Sequence, residues 1–275
     1  MKILITGGNG NIAKMIKNNL SSFYTIMNMS HQELDVLNLY QLESFLQNNN
    51  FDILIHTAII GGRRTKEENG DVVYKNLLML ENLLKFSDHF KMILNFDSGA
   101  IYDRSTDIFN RKEDEIITIP TDYYGFSKYL IYKRSLSYDH FFNLRIFNIF
   151  HHSEEPDRFI KSCFLAKKNN TKITIFNNKY FDFVFEDDFI SIIKYYCDNY
   201  NNINKLIKTI NVCYESKYTL YDIAQMIIPE KEQIIIVNNE LNSNYTGNCE
   251  LLNGLNLDFI GLKNGLHLYE QNMMI

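Results

Sequence analysis

The chain has no excess of positive charge: 28 lysines and arginines face 33 aspartates and glutamates, a formal net charge of -5 with a pI near 5.8. A nucleic-acid groove or an anionic membrane surface needs a basic face, so no nucleic-acid or membrane partner is expected. Cysteine is equally sparse. Cys163, Cys197, Cys213 and Cys249 form no Cys-x-x-Cys pair and have no histidine at ligand spacing. That excludes a zinc knuckle and a disulfide framework, and predicts buried free thiols. The adjacent His151 and His152 read as a solvent-exposed loop pair, and no metal is expected. No apolar run approaches the ~20 residues of a spanning helix, and no charged-then-apolar leader opens the chain. A soluble, cytoplasmic protein is therefore expected. Internal repeats are also absent, and the asparagine runs at 48–50 and 199–202 read as turns.

What is present begins at the first residue. The chain has 275 residues with 45% hydrophobic content, enough for one large α/β core or two unequal lobes. Residues 1–6 are a β-branched and aliphatic run that stops at Gly7-Gly8-Asn9-Gly10-Asn11-Ile12-Ala13, and residues 14–20 carry helical spacing. Strand, tight loop and helix are implied. Gly7 permits the turn, Gly10 lets backbone amides approach a pyrophosphate, and the helix N-terminus adds partial positive charge. Ala13, where a third glycine is usual, is small enough for helix-on-strand packing. Alternation continues with strands at 23–27, 51–58, 91–96 and 142–147 and helices at 39–47, 71–86 and 123–138. This rhythm predicts a Rossmann-type, doubly wound parallel α/β sheet whose ligands bind beyond the carboxyl ends of its strands.

Tyr124 and Lys128 stand four residues apart in Tyr-Gly-Phe-Ser-Lys, on one face of the predicted helix. An ammonium beside a phenol favours phenolate and brings the tyrosine nearer to proton exchange at neutral pH. Ser98, at the carboxyl end of the 91–96 strand, completes a candidate oxidoreductase centre.

These residues resemble the extended short-chain dehydrogenases/reductases, the NAD-dependent epimerase/dehydratase family. The resemblance rests on the 6–13 loop, Leu34-Asp35-Val36, Asp52-Ile53-Leu54-Ile55-His56-Thr57-Ala58, Ser98 four residues before Tyr102, Tyr124 with Lys128, and Leu144-Arg145-Ile146-Phe147-Asn148-Ile149-Phe150. It implies that Ser98, Tyr124 and Lys128 are catalytic. Gly7, Gly10, Asn11, Ile12, Asp35, Val36, Ala58, Tyr124 and Lys128 would hold the dinucleotide. Ser98, Gly99, Ala100, Asn148 and Arg158 would face the substrate. It also implies a dinucleotide-binding domain over 1–150, a smaller C-terminal lobe over 151–275 partly interleaved with it, and a homodimer through the helices at 71–86 and 123–138. The lobe should carry a helix at 158–168, a strand at 172–176 and a strand entering a helix at 181–188. At this length the lobe should be trimmed and its pocket open.

Within the family, His-Thr-Ala-Ile-Ile-Gly-Gly-Arg at 56–63 looks most like the GDP-fucose synthase branch. That branch uses a cysteine and a histidine to epimerise C3 and C5, and the matching places hold Ala100 and Arg158. Neither exchanges a carbon-bound proton, since alanine has no ionisable group and arginine stays protonated. Gly99-Ala100 also lacks the acid and base of the dehydratases. The expectation is NADPH-dependent reduction of the C4 ketone of a GDP-linked 6-deoxy sugar or heptose, for surface-polysaccharide biosynthesis. A 4-epimerase with tightly bound NAD is the alternative. NADPH is favoured over NADH because Asn28, Met29, Ser30 and His31 include no acid for a ribose 2′-hydroxyl, and Lys14 or Lys17 would meet a 2′-phosphate. Phe181 stands where the family usually has a diphosphate-binding arginine, leaving that task to Arg158 or Lys161, or to a different hold on the substrate.

Overall fold

The computed structural model describes residues 1–62, 67–238 and 240–273. Arg63, the last residue of the His-Thr-Ala-Ile-Ile-Gly-Gly-Arg stretch, lies outside them. From the N-terminus run β1 (Lys2–Thr6), α1 (Asn11–Leu20), β2 (Thr25–Met29), α2 (Leu39–Gln47), β3 (Ile53–His56) and α3 (Gly70–Leu84). β4 (Met92–Ser98), β5 (Ile108–Arg111), α4 (Tyr123–Ser135) and β6 (Phe141–Ile146) follow. Next come β7 (Ile149–Phe150), α5 (Phe159–Asn169), β8 (Ile173–Asn177), β9 (Val184–Phe185), α6 (Glu186–Asp198) and β10 (Thr209–Val212). The chain ends in α7 (Leu220–Ile227), β11 (Ile234–Asn238), β12 (Tyr245–Gly247), α8 (Glu250–Asn253) and α9 (Gly261–Met273). No described helix is long and apolar enough to cross a membrane.

The chain forms two units: Met1–Arg104 with Ile116–Arg145 and Ile190–Ile210, and Ser105–Glu115 with Ile146–Phe189 and Asn211–Ile275. In the first, six strands form a parallel sheet in the order β10-β6-β4-β3-β1-β2. Every residue of β3 and β4 is buried, as expected where helices cover both faces of a parallel sheet. β1 pairs with β2 on one side and β3 on the other. The chain therefore changes its direction of travel across the sheet at β1, which opens a crevice beyond Thr6 and His56. Leu4, Leu42, Leu54, Leu80, Leu83 and Ile131 lie in one core beside this sheet. The strand expected at 23–27 forms two residues later, because Phe23 sits in a turn and is 61% exposed.

The second unit holds three two-stranded pairs, β8 with β11, β7 with β9 and β5 with β12, and an aromatic core around Phe150, Phe164, Phe185 and Tyr269. One expectation fails here. His151 is buried, and His152 stacks on Tyr269 with ring centroids 4.7 Å apart, so the pair is packed rather than exposed. Burial lowers both pKa values, that of His151 to about 4, because desolvation disfavours the imidazolium. The four cysteines are free and buried.

Candidate active site

The glycine loop leaves β1 through Gly7, whose φ of +74° is available to glycine at little cost. A Cβ at Gly7 would lie 2.8 Å from both Cα and N of Ala58, so the loop and the chain two residues past β3 touch backbone to backbone. Thr57 Oγ1 donates to the Thr6 carbonyl at 2.7 Å and secures that contact. Gly8 is held against the end of β2, where its amide donates to Met29 O and its carbonyl accepts from Asn28 Nδ2. Gly10 is the N-cap of α1 in extended conformation; no side chain caps this end and its first turn holds no acid. The N-terminal amides, those of Asn11 and Ile12 among them, thus present partial positive charge without a local anion. Asp35 and Val36 lie in the loop after β2. The Asp35 carboxylate accepts from Leu37 N at 2.9 Å, and the Val36 carbonyl accepts from Asn82 on α3.

β4 delivers Asp97 and Ser98, after which the chain tightens into a 3-10 turn over Gly99–Tyr102. Ser98 Oγ caps this turn by accepting from Ala100 N at 3.2 Å. α4 opens on Asp122, whose carboxylate accepts from Gly125 N at 2.8 Å. A Cβ on Gly125 would stand 2.8 Å from the Ala100 carbonyl oxygen, so glycine there lets the turn that carries Ser98 press against the helix that carries Tyr124. The structure thus brings together Ser98, Gly99, Ala100, Tyr124 and Lys128. Ala100 is wholly buried.

Lys128 is buried, lies 5.8 Å from the centroid of the Tyr124 ring, and donates through Nζ to the Phe96 carbonyl at 2.5 Å. Burial pushes its pKa down to about 8, against the pull of the Asp97 carboxylate. Asp97 is itself buried and accepts from Arg145 Nε at 2.7 Å, while Arg145 also donates to the Tyr102 hydroxyl. Burial holds His56, at the end of β3, down to about 3, and the Lys128 charge acts in the same direction. His56 is therefore neutral and serves as a fixed partner of Thr6 Oγ1 at 2.8 Å.

Several neighbours of Tyr124 carried no recognisable motif in the sequence. Glu68 accepts from the backbone amides of Gly62 and Tyr124 with separate oxygens, at 2.6 and 3.1 Å. Gly62 has a φ of +84°, and a Cβ there would lie 3.0 Å from the Tyr124 ring. Asn76 exchanges two hydrogen bonds with the Ile60 backbone and donates to Ser127 Oγ. Only Asp122, a helix-capping type three residues before the amide that it caps, left a readable local signal. Asn148 and Arg158 belong to the second unit, where Arg158 Nη2 donates to Asn148 Oδ1 at 2.9 Å. Phe181 packs against Phe183 and Tyr245, filling its place with apolar contacts.

Residues 3–213 match the model of the NAD dependent epimerase/dehydratase family. The chain belongs to that family. The epimerase/dehydratase fold binds its dinucleotide at the first βα turn, and this chain's cradle fits one: a glycine without room for a Cβ, and a helix end free of capping side chains and acids. A GDP-L-colitose synthase of Yersinia pseudotuberculosis is 30% identical over 123 residues, which cover 43% of this chain and 40% of that protein. The match thus spans less than half of the curated relative's length. A GDP-mannoheptose C4 reductase of Campylobacter jejuni with NADP bound superposes with a TM-score of 0.82 at 19% identity, covering 100% of this chain and 98% of that one. A dTDP-4-dehydrorhamnose reductase of Clostridium acetobutylicum gives a TM-score of 0.81 at 18% identity, with both chains fully covered. These two likenesses establish the fold.

Proposed function

We propose that this epimerase/dehydratase family member reduces the C4 ketone of a nucleotide-diphospho-4-keto sugar, a GDP-linked 6-deoxy sugar or heptose, without epimerising C3 or C5. The observation that carries the reading is Lys128 set 5.8 Å from the Tyr124 ring on a helix against which the turn of Ser98 and Ala100 packs at Gly125. A nicotinamide dinucleotide, when bound at the glycine loop, supplies the hydride. Tyr124 gives its phenolic proton to the carbonyl oxygen as charge develops there. Ser98 holds the same oxygen, and the Lys128 ammonium stabilises the tyrosinate left behind. Ala100 and Arg158 supply no base for a C3 or C5 proton. The relatives' activities support the reading: a C4 reductase of a GDP-heptose, a GDP-colitose synthase and a 4-dehydrorhamnose reductase.

NADPH is the proposed reductant, on the lack of an acid among Asn28, Met29, Ser30 and His31 at the end of β2 and on exposed Lys14 and Lys17 on α1, and the Campylobacter enzyme was solved with NADP. The proposed setting is cytoplasmic synthesis of surface-polysaccharide sugars by a homodimer. The decisive experiment follows NADPH absorbance across a panel of GDP- and dTDP-linked 4-keto sugars. One NADPH consumed per sugar, with C3 and C5 configurations retained by NMR, is expected. No net consumption, with NAD copurifying, would replace this reading with a 4-epimerase. Side-by-side Kd values for NADPH and NADH test the cofactor.

A further inference from the structure

The residue after the Ser98 turn has an unusual backbone. Asp103 is buried at φ 67° and ψ 98°, a conformation that non-glycine residues seldom adopt. This turn sends the next side chain, Arg104, back onto the start of α4. Arg104 Nη2 donates to Asp122 Oδ1 at 2.5 Å and its Nε to Oδ2 at 3.3 Å, a two-pronged grip on the residue that caps α4. So held, the Arg104 guanidinium carbon lies 5.8 Å from the Tyr124 ring centroid, the same distance as the Lys128 nitrogen.

We propose that Arg104 is a positioning residue acting through Tyr124: anchored by Asp122, it adds a positive charge beside the phenol, alongside that of Lys128, and helps set the pH at which that phenol releases its proton. The kinetic consequence rests on the proposed role of Tyr124 as the acid; the electrostatic claim does not. Charged groups set near Tyr124 include Lys128 and Arg104 over its ring, Asp122 and Glu68 on backbone amides at the start of its helix, and Asp97 acting on Lys128. Each carboxylate is engaged with donors: Asp122 with Arg104 and Gly125 N, Glu68 with two backbone amides, Asp97 with Arg145. The two cations are the groups set over the ring. A unit charge at about 6 Å in a partly solvated site moves a pKa by roughly half a unit to two units, and the Asp122 partner trims that toward the lower end.

Tyrosinate absorbance titrated with and without Tyr124→Phe isolates this one phenol among 18 tyrosines. On Arg104→Gln and Arg104→Met backgrounds, of which Met keeps the stem's packing, the midpoint should rise by about half a unit to one unit. Arg104→Lys should recover at least half of that rise, and the alkaline limb of the reduction rate should move with the midpoint. An unchanged midpoint in a variant with native melting overturns the proposal. So does an equal rise in all three variants, because loss of shape rather than charge would then be the cause. Should no 4-keto sugar be reduced, or should Tyr124→Phe keep its turnover, the functional reading fails while this titration still decides the role of Arg104.

Discussion

Tyr124 and Lys128 illustrate how one side chain's burial sets another's chemistry. A lysine in water would be a stronger base than the phenol needs as a partner; buried at about 8, Lys128 is still largely charged at pH 7 but no longer far from titrating. Tyr124→Phe removes the proton and leaves the glycine loop untouched. Its kcat should fall by about 100-fold or more while the Kd for NADPH stays within about twofold, read by steady-state rates and fluorescence titration. Lys128 also carries a stability signature. Below about pH 8 the residue is protonated in both folded and unfolded chains, and the full cost of burying its charge is present. Between about 8 and the ordinary 10.5 the unfolded chain holds a proton that the native state lacks, so raising the pH favours folding. Lys128→Met, which removes the buried charge, should therefore melt higher than the wild type at pH 7, and the gap should shrink as the pH rises to 10. A gap that grows with pH would contradict the assigned burial. Tyr124 and Lys128 were legible in the sequence because a short spacing carries them, and Ser98 because it ends a strand four residues before Tyr102 in the family's pattern. Glu68 and Arg104 were not, since their contacts with α4 span 56 and 18 positions.

At the scale of elements, the contact between the Ser98 turn and α4 is the joint that aligns the site, and glycine makes it possible. Gly125→Ala would ordinarily favour a helix, yet its methyl would press on a backbone oxygen that cannot swing away. The variant should lose about 1–3 kcal/mol in denaturant melts and lose kcat in step with the displaced Ser98. Gly70, the first residue of α3, is the contrast, since a Cβ there meets nothing within 4 Å. Gly70→Ala should be neutral or stabilise by roughly 0.5–1 kcal/mol without changing turnover, measured in the same melts. Local patterns named β1, α1, α2, β3, α3, β4, α4 and β6 to within a few residues, because each carries its own hydrophobic period. β10 escaped notice. Its four residues follow an asparagine-rich stretch, and only pairing at the far edge of the sheet, beside β6, makes them a strand.

For the whole molecule, the expected homodimer through α3 and α4 has a physical basis in residues left uncovered around those helices. Tyr74 on α3 is 62% exposed, and Leu136, just past α4, is 55% exposed. Light scattering should give twice the 32.5 kDa chain mass, and Tyr74→Glu should shift the population toward monomer. A monomeric mass for the unmodified protein would remove the dimer from the account. Arg134 on α4 already binds Glu81 on α3 at 2.7 Å, so the two helices form one surface within the chain.

The alternation of strands and helices from β1 to β6, the glycine loop and the Tyr124–Lys128 spacing were determined by sequence alone. Each depends on residues within a turn or two of one another, where backbone geometry and hydrophobic period dominate. Tertiary structure decided which charges lose their water. It buried Lys128 and paired Asp97 with Arg145, and it buried His151 and stacked His152 on Tyr269 where an exposed loop pair was expected. It also set Arg104 beside the phenol. Desolvation and through-space fields depend on groups far apart in the chain, and no local pattern records which of them will meet.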